Sequence, residues 1–140
     1  MNKIISIIIA CLFSINSFAA EDYDGIPEKF ITSIQEHQYQ EAIDNLYPGK
    51  EYWKTAEGQA EKAGFSAKME KAGNYRFHEL LSEKKIGNHY VVQSYIIGFK
   101  DRPLFFSIVL YKPEKSWLAK GFQFDESYQN IKNFSLQQAQ

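Results

Sequence analysis

The three histidines are the side chains of this sequence best suited to bind a metal ion or to carry protons near neutral pH. His37, His78 and His89 lie on different predicted elements, and no two of them have the His-x₃-His spacing of a helical metal site. The single cysteine, Cys11, lies in the leader described below. His78 and Glu79 are neighbours in a predicted strand, so their side chains point to opposite faces. The sequence therefore predicts no metal site and no cofactor.

Motifs for nucleophilic catalysis and for phosphate binding are absent from the sequence. No serine stands in a Gly-x-Ser-x-Gly turn, no Gly-rich phosphate loop is present, and residues 20–140 contain no cysteine. Lysine-rich stretches such as 68–71 and 83–85 carry both signs of charge, which is typical of a solvated face. The formal net charge of −1 argues against nucleic-acid binding, which usually needs a strongly basic surface. The sequence thus favours a non-enzymatic protein, without excluding an enzyme.

One set of polar residues falls on the same predicted side of a sheet, among aliphatic residues: Arg76, His78, Gln93, Tyr95 and Gln123. A few polar groups converging in an apolar setting are typical of a ligand pocket. A buried His beside a Tyr could also act as an acid–base pair. The alternative is that these residues are polar positions on edge strands and a core Tyr with a satisfied hydroxyl. A structural role, a ligand pocket and a catalytic site all remain open for this set.

Four predicted strands would position these residues. The strands are residues 75–85, 90–99, 104–112 and 117–124. Each is rich in aromatic and β-branched side chains, and the breaks between them contain turn-forming residues. Gly87-Asn88 can form a two-residue hairpin turn, because both residues tolerate positive φ. Short connections make consecutive strands antiparallel neighbours, so the sequence predicts a four-stranded antiparallel meander.

The short loops also predict which side chains share a face. The expected opposite pairs near the three loops are His78 with Ile97, Phe99 with Leu104 and Lys112 with Trp117. Opposite residues point to the same side of a sheet. One face then holds the candidate pocket together with Ala119 and Gly121, whose small size leaves room for helices to approach. We expect the helices to pack on this face, and Trp117 to pack over the end of one of them.

The second face of the predicted sheet is mixed in composition but strongly apolar. Its large apolar residues are Val92, Ile96, Phe105, Val109, Tyr111, Leu118 and Phe122. The predicted helices are too few to cover both faces, and an exposed apolar patch of this size usually marks an interaction site. We therefore expect this face to bind a protein partner or a second copy of the chain about a twofold axis.

The residues before the sheet predict the helices. Pro27 suits a first helical position, and apolar residues repeat at helical spacing from there until Pro48-Gly49 ends the second helix. Residues 51–72 predict a third helix with a stripe of alanines and a bend or break near Gly64. After Phe124 the chain becomes polar, so we expect a loop and then a frayed end. The predicted fold class is α+β, with N-terminal helices packed on a curved, cone-like four-stranded antiparallel meander sheet.

The first nineteen residues have the pattern of a secretory signal peptide. Lys3 is the only charge of a short basic segment, and an almost wholly apolar run of residues 4–15 follows it. Ser17 and Ala19 are small residues at the −3 and −1 positions of a cleavage site. The apolar run is too short for a transmembrane helix, and no later stretch is long enough. We expect cleavage after Ala19, a periplasmic or secreted product, and no transmembrane anchor.

An alternative processing route involves Cys11. Residues 8–11 resemble the lipoprotein box, in which the cysteine is acylated and becomes the mature N-terminus. The apolar run before Cys11 is very short and continues after it, which favours the ordinary signal peptide over residues 1–19. Residues 20–140 then form a single α+β domain of 121 residues (140 − 19), enough for one hydrophobic core.

The layout of the chain resembles a known superfamily. The pattern comprises an apolar N-terminal helix pair, a helical segment carrying Trp53, and a meander that ends with Tyr111-Lys112-Pro113, Trp117-Leu118 and Phe122. It is similar to the nuclear transport factor two-like (cystatin-like) superfamily, in particular to its small exported bacterial members of unknown function. The resemblance implies a curved sheet wrapped around helices, often with a pocket between them and often dimeric. No catalytic motif of the superfamily matches this sequence residue by residue.

Two classes of function follow from the sequence. The favoured class is a non-enzymatic binding module of the cell envelope, acting through its sheet face or its pocket on a protein or on a small apolar ligand. A periplasmic immunity or inhibitor protein that neutralises a toxin or hydrolase is a specific form of it. The alternative class is a small-molecule isomerase-like or hydrolase-like enzyme that uses a His/Tyr pocket. A filled core with an exposed apolar sheet face would favour the binding module.

Overall fold

The computed structural model describes residues 21–140, in which three helices precede a four-stranded antiparallel sheet and a fourth helix follows it. The helices are α1 (Ile26–Gln35), α2 (Tyr39–Leu46), α3 (Ala56–Ala72) and α4 (Tyr128–Gln138). The strands are β1 (Tyr75–Ile86), β2 (Tyr90–Phe99), β3 (Pro103–Tyr111) and β4 (Leu118–Asp125). The strand order is β1-β2-β3-β4, so the predicted α+β class and antiparallel meander are confirmed. The predicted signal peptide lies outside the described residues.

The N-terminal helices form because their apolar residues recur on one face. Short 3₁₀ turns at Tyr23–Gly25 and Glu51–Lys54 precede α1 and α3. In α1, Phe30 and Ile34 are fully buried, one helical turn apart, and α2 packs against α1. Among residues 21–140, no helix is long and apolar enough to cross a membrane.

Helix α3 runs without interruption through Gly64, where the sequence predicted a bend or a break. Thr55 caps its N-terminus by accepting a hydrogen bond from the Gly58 amide at 3.1 Å. Phe65 and Met69 are buried one turn apart, and their packing outweighs the low helix propensity of Gly64. The expected break is therefore wrong.

The sheet register keeps the predicted faces of β2, of β3 and of residues 77–80 of β1, whereas the bulges of β1 reverse the predicted faces at its two ends. His78 pairs with Ile97 as predicted, but Ile86 pairs with Tyr90, so the first hairpin loop has three residues instead of two. An extra residue at Leu81 restores the predicted register in the part of β1 that lies farther from the hairpin, where His78 pairs. Strands β2 and β3 are shifted by two residues from the prediction. A shift by an even number leaves every side chain on its predicted face.

A bulge in β4 reverses the predicted faces of its second half. Ala119 pairs with Leu110 as predicted, but Lys120 is an extra residue without a partner on β3. Beyond this bulge, Phe122 pairs with Ile108 and Phe124 with Phe106, on the face that the helices cover. The placement of Phe122 on the second face is therefore wrong, and so is the placement of Gly121 and Gln123 on the helix face.

The hydrophobic core lies between α1–α3 and the helix face of the sheet. Phe106 is fully buried at its centre, and its ring centroid lies 5.7 Å from that of Phe30 and 6.1 Å from that of Phe124. Phe65 contacts Phe124 edge to face at 5.0 Å. Aromatic rings thus fill the interior that the sequence left as either filled or hollow.

Helix α4 covers much of the second face, and the sequence analysis did not predict it. Its contacts are with β2, β3 and β4. Ile131 is fully buried there, and the Ser135 hydroxyl lies 2.8 Å from that of Ser94 and 2.9 Å from that of Ser107. Val92 and Val109 are buried as a result. The predicted continuous association surface is therefore interrupted by a helix of the same chain.

The other residues predicted for the association surface keep some exposure. Ile96 and Phe105 are half-buried, and the Phe105 ring lies 5.5 Å from that of Tyr128 in α4. Tyr111 is 38% exposed and Leu118 is 41% exposed. These two residues pair across β3 and β4, beyond the part of the face that α4 covers.

Candidate functional site

Two clefts open on the helix side of the sheet. The polar cleft, of about 380 Å³, is lined by Glu21, Asp22, Tyr23, Pro27, Glu28, Ile31, Thr32, Gln35, His78, Gln93 and Tyr95. The aromatic cleft, of about 490 Å³, is lined by Ile43, Tyr47, Trp53, Glu61, Lys62, Gly64, Phe65, Lys68, Phe122, Gln123 and Phe124. Each has the size of a small-molecule site.

The polar cleft brings together three of the five residues predicted to form a pocket. Strand β2 points Gln93 and Tyr95 toward the helices, and both side chains are buried. The Tyr95 hydroxyl donates to Gln93 Oε1 at 2.9 Å, and Gln93 Nε2 donates to Glu83 Oε2 at 2.7 Å. Burial, followed by the negative charge of Glu83, raises the pKa of Tyr95 to about 12. Tyr95 is therefore a neutral hydrogen-bond donor at physiological pH.

Tyr23 adds a phenol that the sequence analysis did not single out. It lies at the start of the first 3₁₀ turn, is 2% exposed, and its hydroxyl has no hydrogen-bond partner of normal geometry. Burial and then the nearby Glu83 raise the pKa of Tyr23 well above its usual range. Like Tyr95, it stays protonated and cannot serve as a base near neutral pH.

The remaining predicted pocket residues lie apart from this network. His78 is exposed at the rim, where its Nδ1 lies 2.6 Å from the Tyr75 hydroxyl. The structure therefore pairs His78 with Tyr75, not with Tyr95. Arg76 is exposed in a bulge of β1, and Gln123 lines the aromatic cleft instead. The predicted set of five does not form one site.

The walls of the aromatic cleft come from four parts of the chain. Tyr47, at the end of α2, stacks on Trp53 of the second 3₁₀ turn at 5.6 Å. Phe65 of α3 forms edge contacts with Phe122 at 5.9 Å and with Phe124 at 5.0 Å on β4. The bulge in β4 is what places both phenylalanines on this side. The result is an open cleft with aromatic walls.

Gly64 leaves one side of the aromatic cleft open. A Cβ atom placed on Gly64 would meet no atom within 4 Å, although the residue lies in the interior of α3. The neighbouring Phe65 is buried in the core. The glycine thus gives the cleft its width without loosening the helix.

Two of the charged groups that line the aromatic cleft, Lys62 and Glu61, are already engaged in hydrogen bonds. Lys62, which is buried, donates to Asp44 Oδ1 at 2.7 Å, and the Tyr52 hydroxyl donates to Glu61. The Trp53 indole N–H is buried without an acceptor. Burial raises the pKa of Tyr47 to about 12.

Neither cleft brings a histidine into hydrogen-bond contact with Tyr95, as the predicted acid–base pair requires. The tyrosines with raised pKa values are held in their neutral form, and the histidines lie outside the aromatic cleft. Within residues 21–140, no group of three His, Cys, Asp or Glu side chains is placed to hold a metal ion. The arrangement is suited to holding an apolar molecule by its shape.

The sequence carried little signal for the aromatic cleft. Its rings come from distant segments, and the one local signal for the β4 bulge that brings them together is Gly121, a glycine inside a predicted strand. Comparison of the chain with models of known protein families, with curated proteins and with solved structures found no match. The resemblance to the nuclear transport factor two-like superfamily therefore remains a prediction from the layout of the sequence.

Proposed function

We propose that this chain is an exported binding module without catalytic activity, and that it holds a small ligand with an apolar body in the aromatic cleft. The observation that carries the proposal is an open cleft of about 490 Å³ between α3 and β4, walled by aromatic side chains. Apolar surface left facing water is unfavourable by roughly 25 cal/mol per Å², so a ligand that covers it gains free energy. The hydrogen bonds that engage Glu61 and Lys62 support binding without reaction.

The proposal is tested with the neutral probe N-phenyl-1-naphthylamine, whose fluorescence rises in an apolar environment. The mature protein is titrated beside Gly64→Phe, which adds a ring where nothing lies within 4 Å, and Gly64→Ala as the matched control. Wild type and Gly64→Ala should bind one probe per chain, and Gly64→Phe should bind at least about tenfold more weakly, a difference of about 1.4 kcal/mol. Absence of binding, or equal binding by all three proteins, would overturn the proposal.

Export is the second part of the proposal, and it rests on the pattern of residues 1–19. Mass spectrometry of the protein purified from its source cells should find a mature N-terminus at Ala20. An intact Met1, or a lipid-modified Cys11 as the first residue, would contradict it. Recovery in the periplasmic fraction or in the medium would then decide between the two destinations.

Protein association is a second candidate function, supported by apolar side chains exposed around α4. They are Phe77, Ile86, Tyr111, Leu118 and Leu136. Strand β1 is an edge strand, but its bulges and its charged residues disfavour extension of the sheet by a partner strand. The second sheet face, not the edge, would then hold a second copy of the chain or the target of an immunity or inhibitor protein.

Light scattering on the mature protein and on the double variant Phe77→Glu with Leu118→Glu tests this second candidate. A wild-type dimer that the double variant converts to a monomer would support it. A wild type that is monomeric and has no envelope partner in a pull-down would exclude it. Neither result affects the probe titration, so the two candidate functions are tested separately.

A further inference from the structure

We infer that the ligand of the aromatic cleft is an amphipathic anion, with its apolar body between the rings and its negatively charged group beside Lys68. This inference rests on the proposed binding function and names the class of ligand. It follows from the charges around the cleft, taken one at a time.

The negative charges beside the cleft already have partners. The Asp44 carboxylate accepts a hydrogen bond from Lys62 at 2.7 Å, and the Glu61 carboxylate accepts one from Tyr52. Lys62 is in turn neutralised by Asp44, since the two form an ion pair. The hydrogen bond from the neutral Tyr52 leaves the charge of Glu61 in place, so these groups together contribute one negative charge beside the cleft.

Two lysines at the cleft are placed differently. Lys68 Nζ lies 5.8 Å from the centroid of Phe124, and Lys50 Nζ lies 4.4 Å from the centroid of Tyr47. Both rings belong to the walls of the cleft. Within the part of the chain that the structure describes, neither lysine forms an ion pair or a side-chain hydrogen bond. These two positive charges outnumber the single negative charge of Glu61, so the net charge beside the aromatic walls is positive.

The Trp53 indole N–H takes no part in this preference. It is a buried donor without an acceptor, and no atom the size of a water oxygen reaches it from the cleft. The charge preference of the cleft is therefore set by Lys50 and Lys68, which attract an anionic ligand and repel a cationic one.

The experiment measures displacement of N-phenyl-1-naphthylamine by three ligands with the same alkyl chain: decanoate, decanol and decyltrimethylammonium. Decanoate should displace the probe at a concentration at least about tenfold lower than decyltrimethylammonium. The concentration of decanol that displaces the probe should lie between those of the other two ligands. Equal displacement by all three would overturn the inference while leaving the proposed function intact. Failure of the probe itself to bind would instead overturn the proposed function.

Charge-reversal variants identify the lysine that causes the preference for decanoate. Lys68→Glu should abolish the preference for decanoate or reverse it. Lys115→Glu is the matched control, because it makes the same change in net charge in the exposed loop between β3 and β4. An unchanged preference in Lys68→Glu, or an equal loss in Lys115→Glu, would contradict the placement of the anion at Lys68.

The same chemistry could be presented by the surface of an anionic membrane, and the inference commits to a free single-chain molecule. Sedimentation with phosphatidylglycerol vesicles distinguishes the two sources. Wild-type protein should stay in the supernatant. Sedimentation with the vesicles that Lys68→Glu abolishes would assign the site to a lipid surface and overturn the inference.

Discussion

Trp117 joins the N-terminal turn to the end of the sheet, and its truncation gives the most direct test of the packing. The indole is 7% exposed and meets the Tyr23 ring edge to face at 5.0 Å. Its Nε1–H donates to Glu21 Oε1 at 2.8 Å, and its backbone N–H donates to Asp24 Oδ2 at 2.7 Å. The sequence predicted that Trp117 packs over the end of a helix, and the structure packs it on the 3₁₀ turn that precedes the first residue of α1.

The magnitude follows from these contacts. A buried Trp covers roughly 200 Å², and at roughly 25 cal/mol per Å² this sets an upper limit of about 5 kcal/mol. Alanine retains part of that burial, so Trp117→Ala should lower the free energy of unfolding by about 3 kcal/mol. Trp117→Phe keeps a ring against Tyr23 and loses the hydrogen bond to Glu21, which is 40% exposed, so its expected loss is about 1 kcal/mol.

The assay is urea denaturation of the mature protein, analysed by linear extrapolation. Ser116→Ala is the control, since the side chain is exposed and adjacent, and its effect should stay within about 0.5 kcal/mol. A loss below about 0.5 kcal/mol for Trp117→Ala would show that the indole is not packed as described. An equal loss for Trp117→Phe and Trp117→Ala would show that the hydrogen bond, and not the ring, provides the stability.

Five further substitutions test three other parts of the fold by the same assay. Gly64→Ala should raise the free energy of unfolding by about 0.5–1 kcal/mol. Gly58→Ala should lower the free energy of unfolding, because its Cβ would collide with the backbone carbonyl oxygen of Tyr52. If Gly64→Ala and Gly58→Ala changed the free energy of unfolding in the same direction, the described packing of α3 would be contradicted. Asp44→Ala leaves the buried ammonium of Lys62 unpaired and should lower the free energy of unfolding by about 1–2 kcal/mol. Lys62→Met removes the buried charge and should lower it by less than about 1 kcal/mol. A larger loss for Lys62→Met than for Asp44→Ala would refute the burial of this lysine. Because the pKa of Tyr95 is raised from 10.0 to about 12, its contribution to stability is full below pH 10.0 and is lost as pH rises through about 12. Tyr95→Phe should therefore lose stability less steeply than wild type between about pH 9 and about pH 11, and parallel curves would exclude this effect.

The faces of β2, of β3 and of the middle of β1 could be predicted from the sequence because side-chain direction depends only on parity. The two-residue error between β2 and β3 was harmless for that reason. The error in β4 did change the predicted faces, because one extra residue at Lys120 turns Phe122 and Phe124 to the other face. Gly121 beside Lys120 is a weak local signal of a bulge, but the contacts of the two rings with Phe30 and Phe65 that accompany it involve distant segments.

Helix α4 was missed for a related reason. Its sequence is mostly polar, and Ile131 is its only buried side chain. Helical periodicity is detectable when several apolar residues repeat on one face, and a single anchor gives no period. The candidate pocket was found in part because Gln93 and Tyr95 lie two apart on one strand. The aromatic cleft was not found from the sequence, since it depends on tertiary contacts between distant segments.

The weak anchoring of α4 has a consequence for local unfolding. Detaching the helix exposes one buried isoleucine and breaks the hydrogen bonds of Ser135 with Ser94 and Ser107, whereas opening β2 or β3 disrupts the whole core. We therefore expect backbone amides of α4 to exchange with deuterium far faster than those of the central strands, by opening of the helix alone. In that open state Val92 and Val109 become accessible, so the second sheet face would be available for association for only a small fraction of the time.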